Sequence, residues 1–135
     1  MKMILASHGD LAKAFLSAAE MIMGPQEDLC AFGIYPEASV EKFESDIQEK
    51  IETYLKQGED VLVFTDVFFG TPFNTVVRIM DKLKFYHFTG LSLPILLEII
   101  GMKDNRNMDE IREQLMEIGR SSFMDVNQFV EEQEE

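Results

Sequence analysis

With 135 residues and a 46% hydrophobic composition, the chain can build one domain with a core and is too apolar for general disorder. Its net charge of −13 repels phosphate backbones, which sets nucleic acid aside as a partner and favours a basic protein surface instead. Cys30 is the only cysteine, so an internal disulfide and a cysteine-rich metal cage are excluded, and no apolar run approaches the roughly 20 residues of a bilayer span.

The apolar start at residues 1–6 is too short for a signal peptide and runs straight into the fold. Met3-Ile4-Leu5-Ala6 reads as a short buried strand, and Leu11, Phe15, Ala18, Ala19 and Ile22 recur at helical spacing until Gly24-Pro25 stops them. His8 therefore falls on a strand-to-helix turn. Residues 29–35 predict a second strand closed by Pro36. Ser39 caps a helix with Val40, Phe43, Ile47, Ile51, Tyr54 and Leu55 on one face, ended by Gly58. Val61-Leu62-Val63-Phe64-Thr65 is the clearest strand, continuous and β-branched as for a central strand buried on both faces, and Asp66 terminates it. Thr71-Pro72 opens the next helix, with Thr71 expected as N-cap and Pro72 at the first helical position. A fourth strand is expected over 85–89, a short apolar helix over 93–101 and an amphipathic one over 109–118. Between 121 and 130, Phe123, Val126, Phe129 and Val130 fit neither period, and 131–135 read as a frayed acidic tail.

This alternation predicts an α/β fold, a doubly wound and mostly parallel sheet of order 2-1-3-4 with helices on both faces, forming a single domain over 1–130. In such sheets ligands sit outside the carboxyl ends of the strands where the winding reverses. If the first and third strands are neighbours, His8 and Asp66 face each other there. A neutral imidazole is a nucleophile, and a carboxylate on one ring N–H fixes the tautomer, frees the other nitrogen to attack and stabilises positive charge on the ring. Phe69-Gly70-Thr71-Pro72 adds a glycine that lets an anion approach, a hydroxyl, and a helix start whose N–H groups and dipole face the crevice; Gly9 and the helix after it do the same from the other side. Together these residues make a phosphoryl pocket. His87, among aromatics in a strand, reads as structural, and the nine methionines as core or interface filler.

The stretches "ILASHGDLAKAFLSAAEMIMGPQEDL", "VLVFTDVFFGTPFNTVVRIM", "LSLPILLEII" and "EIGR" resemble the mannose-class enzyme IIA component of the bacterial sugar phosphotransferase system, in order and through most of the chain. The resemblance implies that His8 accepts the phosphoryl group, that Asp66 orients it, and that Thr71 supplies a hydroxyl at the phosphoryl site beside Gly9 and Gly70. It implies phosphorelay from the phosphocarrier protein HPr to a cognate enzyme IIB, with the membrane IIC and IID proteins engaged indirectly, no metal or other cofactor, and a cytoplasmic homodimer whose C-terminal strand is exchanged between subunits. The ring nitrogen remote from Asp66 is the expected acceptor. Phe68 and Phe69 are candidate docking residues, while Phe73 reads as core. The family pattern has a glycine where Phe69 stands, an Asn where Ser92 stands and a Met where Ile95 stands. Glu20, Gln26 and Glu27 match the family but read as surface or capping groups.

Three other readings compete. A receiver-like domain would be phosphorylated on Asp66, yet the first strand ends in Ser7-His8-Gly9 and lacks the acidic pair that holds Mg²⁺. A regulatory or sensor module of the same fold, including the subunit that feeds dihydroxyacetone kinase, would use His8 without sugar uptake. A metal hydrolase built on His8 and Asp66 has too few ligands.

Overall fold

A computed structural model describes residues 1–134. The chain forms two compact units, one from Met1 to Leu93 and one from Pro94 onward. The first holds β1 (Lys2–His8), α1 (Leu11–Met23), β2 (Leu29–Ile34), α2 (Val40–Lys56), β3 (Val61–Thr65), α3 (Thr71–Met80) and β4 (Tyr86–Thr89). Its four strands make one parallel sheet in the expected order, β2-β1-β3-β4.

Strand periodicity sorts the side chains onto two faces. Ile4, Ala6, Val61 and Val63 point to one side, where they cluster with Phe43, Ile47, Ile51 and Tyr54 of α2 and Val76 and Ile79 of α3. Met3, Leu5, Leu62 and Phe64 are equally buried on the other side. β1 and β3 are thus apolar on both faces, as central parallel strands must be. Ser39 caps α2 by accepting the Lys42 N–H at 3.1 Å. At the start of α3 the structure corrects the sequence reading. Gly70 is the N-cap, with φ of 107°, and Thr71 is the first helical residue; its hydroxyl does not cap the helix. Only glycine takes that backbone conformation without strain, so the chain turns there and the helix begins at Thr71, one residue earlier than a threonine cap would start it.

The second unit contains α4 (Leu93–Met102) except for its first residue, with α5 (Met108–Ser121) and α6 (Val126–Gln133). Asn107 caps α5 by accepting the Glu110 N–H at 2.9 Å. Gln114 of α5 donates to Glu98 of α4 at 3.2 Å. The expected exchanged strand is not formed: the segment 121–130 ends α5 and begins α6, and among the described residues no strand follows β4. Asp125 provides the reason, because its side chain accepts the Gln128 N–H at 3.2 Å and starts a helix in which Val126, Phe129 and Val130 share one face. The helix continues through Gln133, so the acidic tail is ordered further than expected.

Candidate functional site

The winding of the sheet reverses between β1 and β3. Ala6 lies level with Thr65, so the two strands leave the sheet side by side, one at His8 and the other at Asp66. A single carboxylate oxygen, Asp66 Oδ2, accepts both the His8 main-chain N–H at 3.0 Å and the ring Nδ1 at 2.8 Å. The other, Oδ1, accepts the Val67 N–H at 3.1 Å. Burial alone would raise the Asp66 pKa, but the main-chain and ring N–H groups of His8, the positive charge its ring can carry and the local backbone together hold it below the ordinary carboxylate value. An ionised carboxylate only accepts, so Nδ1 carries a proton, and in the neutral ring this tautomer leaves the lone pair on Nε2. The exposures suit this division: the Asp66 side chain is 7% accessible and that of His8 54%.

Gly70 flanks the free edge of the ring. A Cβ there would stand 3.1 Å from His8 Cε1 and 3.4 Å from Nε2, crowding the ring edge remote from Asp66. Thr71 follows immediately. The first turns of α3 and α1 open from this corner, and neither N-cap residue, Gly70 or Asp10, bonds its helix through a side chain. Their N-terminal dipole ends favour negative charge. Gly9, with φ of 53°, makes the turn between His8 and α1.

Beside this corner the loop 66–70 exposes an aromatic group. Phe68 and Phe69 are 63% and 62% accessible, with ring centroids 3.9 Å apart, and Phe73 lies 5.1 Å from Phe68. Phe69 also adopts φ of 59°, left-handed backbone that a bulky residue rarely takes. Phe73, expected in the core, is half-buried and touches His87 at 5.4 Å. His87 shares a hydrogen bond with Thr65 Oγ1 at 2.9 Å, away from His8, and burial lowers its pKa to about 4. Glu20 and Gln26 close the end of α1: Glu20 Oε2 accepts the Gln26 N–H at 2.9 Å, and Gln26 Nε2 donates to the Gly24 carbonyl at 3.1 Å. Glu27 is exposed.

Sequence reasoning missed Ser7, Asp10, Gly33 and Tyr35. Ser7 Oγ accepts the Ala12 N–H at 2.7 Å and so caps α1 from the strand, while Tyr35 and Gly33 bear on the turn after His8. A lone glycine inside a strand signals close backbone approach and marks Gly33; Tyr35 left no such mark. Among the described residues, no group of three or more His, Cys, Asp or Glu side chains is placed to hold a metal, and no helix is long and apolar enough to cross a membrane.

Residues 2–116 match the family model EIIA-man, described as PTS system fructose IIA component. The sorbose-specific EIIA component of Lacticaseibacillus casei is 31% identical over 121 residues, covering 87% of this chain and 85% of that protein. The mannose-specific EIIAB component of Escherichia coli K12 is 30% identical over 123 residues, 87% of this chain and 36% of that longer protein. Among solved structures, the PTS IIA protein associated with the fucose utilization operon of Streptococcus pneumoniae superposes with a TM-score of 0.85 at 26% identity, covering 96% of this chain and 95% of that one.

Proposed function

Because the chain belongs to the mannose-class EIIA family of the sugar phosphotransferase system, whose members are phosphotransferase components of sugar uptake, we propose that it relays a phosphoryl group on His8 from phospho-HPr to a cognate enzyme IIB. The observation that carries this reading is the 2.8 Å bond between Nδ1 and the ionised Asp66, which in the neutral ring puts the lone pair on Nε2, beside Gly70 on a half-exposed side chain.

In the accepting step Nε2 attacks phosphorus in line with the donor's nitrogen; the donor's N–P bond breaks as the Nε2–P bond forms. The Nδ1 proton stays on the ring, and Asp66 stabilises the positive charge that the phosphorylated imidazole carries. The α1 and α3 N-termini, the Thr71 hydroxyl and the close backbone at Gly9 and Gly70 neutralise the equatorial oxygens. The donating step reverses this, with the Nε2–P bond breaking toward enzyme IIB. Phe68 and Phe69 form a docking rim for these proteins, since both phenyl groups stand in solvent on the loop that leads into Gly70, which flanks the His8 ring. The geometry favours His8 over Asp66 as the phosphorylated group, because both Asp66 oxygens are engaged and its side chain is nearly covered.

Incubation with phosphoenolpyruvate, enzyme I and HPr tests the relay. Label is expected on the wild type, stable in alkali and lost in acid, and absent from His8→Ala. Equal labelling of the two proteins overturns the assignment.

A further inference from the structure

Asp66 holds the imidazole of His8 but not the turn beyond it. That turn is met from the opposite side by three successive residues at the end of β2. Gly33 lies level with Ser7 and passes so close to Gly9 that a Cβ would stand 2.1 Å from the Gly9 carbonyl oxygen. Its backbone is not left-handed, so the glycine serves space and not conformation. Ile34, level with His8, accepts the Gly9 N–H on its carbonyl at 2.7 Å, which extends the ladder one residue past β1. Tyr35 donates its hydroxyl to Asp10 Oδ1 at 2.6 Å and accepts from Lys13 Nζ at 3.1 Å, and the Lys13 ammonium sits 5.3 Å over the Tyr35 ring. Asp10 is the N-cap residue of α1, yet its carboxylate does not cap the helix; it is turned to Tyr35, and Ser7 takes the Ala12 N–H instead.

We propose that Gly33, Ile34 and Tyr35 form a second positioning arm, which pins the turn at residues 8–10 to β2 and thereby sets where His8 Nε2 stands. The proposal rests on the relay reading. In-line transfer between two proteins has no covalent tether to correct its geometry, so both the ring and the backbone under it must be held. Asp66 fixes ring rotation; the β2 arm fixes the height and tilt of the turn. An alanine at 33 has to push Gly9 away by about 1 Å to reach a tolerable contact, a displacement large enough to cost on the order of 10²-fold in a positioned reaction.

The test compares Gly33→Ala and Tyr35→Phe with wild type in initial rates of phosphoryl acceptance from purified phospho-HPr over a range of donor concentrations. Melting temperature and the His8 ring nitrogen and Nδ1–H NMR signals are read on the same samples. Gly33→Ala is expected to lower kcat at least about tenfold, with donor KM little changed and the His8 signals moved. Tyr35→Phe removes the two exposed hydrogen bonds of its hydroxyl, to Asp10 and from Lys13, and is expected to lower kcat about two- to tenfold with nearly unchanged melting. A folded Gly33→Ala protein with wild-type kcat and unmoved His8 signals overturns the arm, even if it melts earlier, because then Gly33 serves stability alone. Should Gly33→Ala fail to fold, Tyr35→Phe decides, and wild-type kcat with unmoved signals overturns the arm. If wild type takes no phosphoryl group from phospho-HPr, the relay reading falls; the His8 signals of the variants still decide whether β2 positions the ring, and unmoved signals refute it.

Discussion

A histidine becomes a phosphoryl carrier through what its second nitrogen does. Asp66 Oδ2 binds both the main chain and the ring of His8, so one carboxylate fixes backbone, ring and tautomer together. Asp66→Asn keeps the size but places an amide where an acceptor of full charge stood, and its NH₂ group favours the wrong ring tautomer. Phosphoryl acceptance is expected to slow about 10²-fold, the scale of losing one preorganised electrostatic contact. Rapid-quench labelling measures it, and a wild-type rate removes the role given to Asp66. Phe69 carries the opposite imbalance. Its left-handed backbone costs about 1–3 kcal/mol, and its ring is mostly in water, so folding alone gives no reason for it. Phe69→Gly should leave stability within about 1 kcal/mol of wild type or raise it, because relief of strain offsets the added freedom of the unfolded glycine. The same variant should raise KM for a protein partner. Denaturant melts paired with transfer kinetics check both halves, and an unchanged KM for both HPr and enzyme IIB ends the docking role.

At the scale of elements, β3 and β4 carry a pH dependence apart from the site. His87 is half-buried between Phe73 and the Thr65 and Thr89 hydroxyls, which bond each other at 2.9 Å, and burial pushes its pKa from 6.5 to about 4. The unfolded chain therefore binds a proton between those values that the folded chain refuses, and stability falls as pH drops from 6.5 toward 4. Asp66 acts in a lower window. Its folded pKa is depressed, so its contribution is complete above the unfolded carboxylate value and is lost only as pH falls through the folded one. Calorimetric melts should show wild type losing melting temperature from pH 6.5 downward and His87→Gln losing most of that slope above about pH 5. Equal slopes would show that His87 does not control this window. The same elements mark what a reader of the chain can see. β1, β3 and the helix starts were legible because periodicity and caps are local, and the β1–β3 adjacency that joins His8 to Asp66 followed from winding rules. The Thr71 cap was misplaced by one residue because Gly70 and Thr71 both suit a helix start, and only the backbone angle separates them. Tyr35 and Asp10 lie 25 residues apart and meet only once β1 and β2 pair, which no local pattern announces.

For the whole molecule, the apolar side chains that folding leaves in water ask for a partner. In the second unit Phe123 is 94% accessible and Met124 53%, while Val126, Phe129 and Val130 line one face of α6, in which no residue is buried. A helix of eight residues is too short to persist on its own propensity, and this one buries nothing within its own chain. Covering that face in a second copy would stabilise the helix and remove the apolar surface in one step, at a self-complementary contact of the kind two-fold dimers use. Sedimentation equilibrium is expected to return twice the 15.5 kDa chain mass for wild type. The double variant Val126→Asp, Phe129→Asp should sediment as a monomer with the sheet's circular dichroism intact, since it alters no buried position. A wild-type protein that sediments as a monomer at micromolar concentration, or a double variant that stays dimeric, places the apolar face of α6 outside any contact between copies.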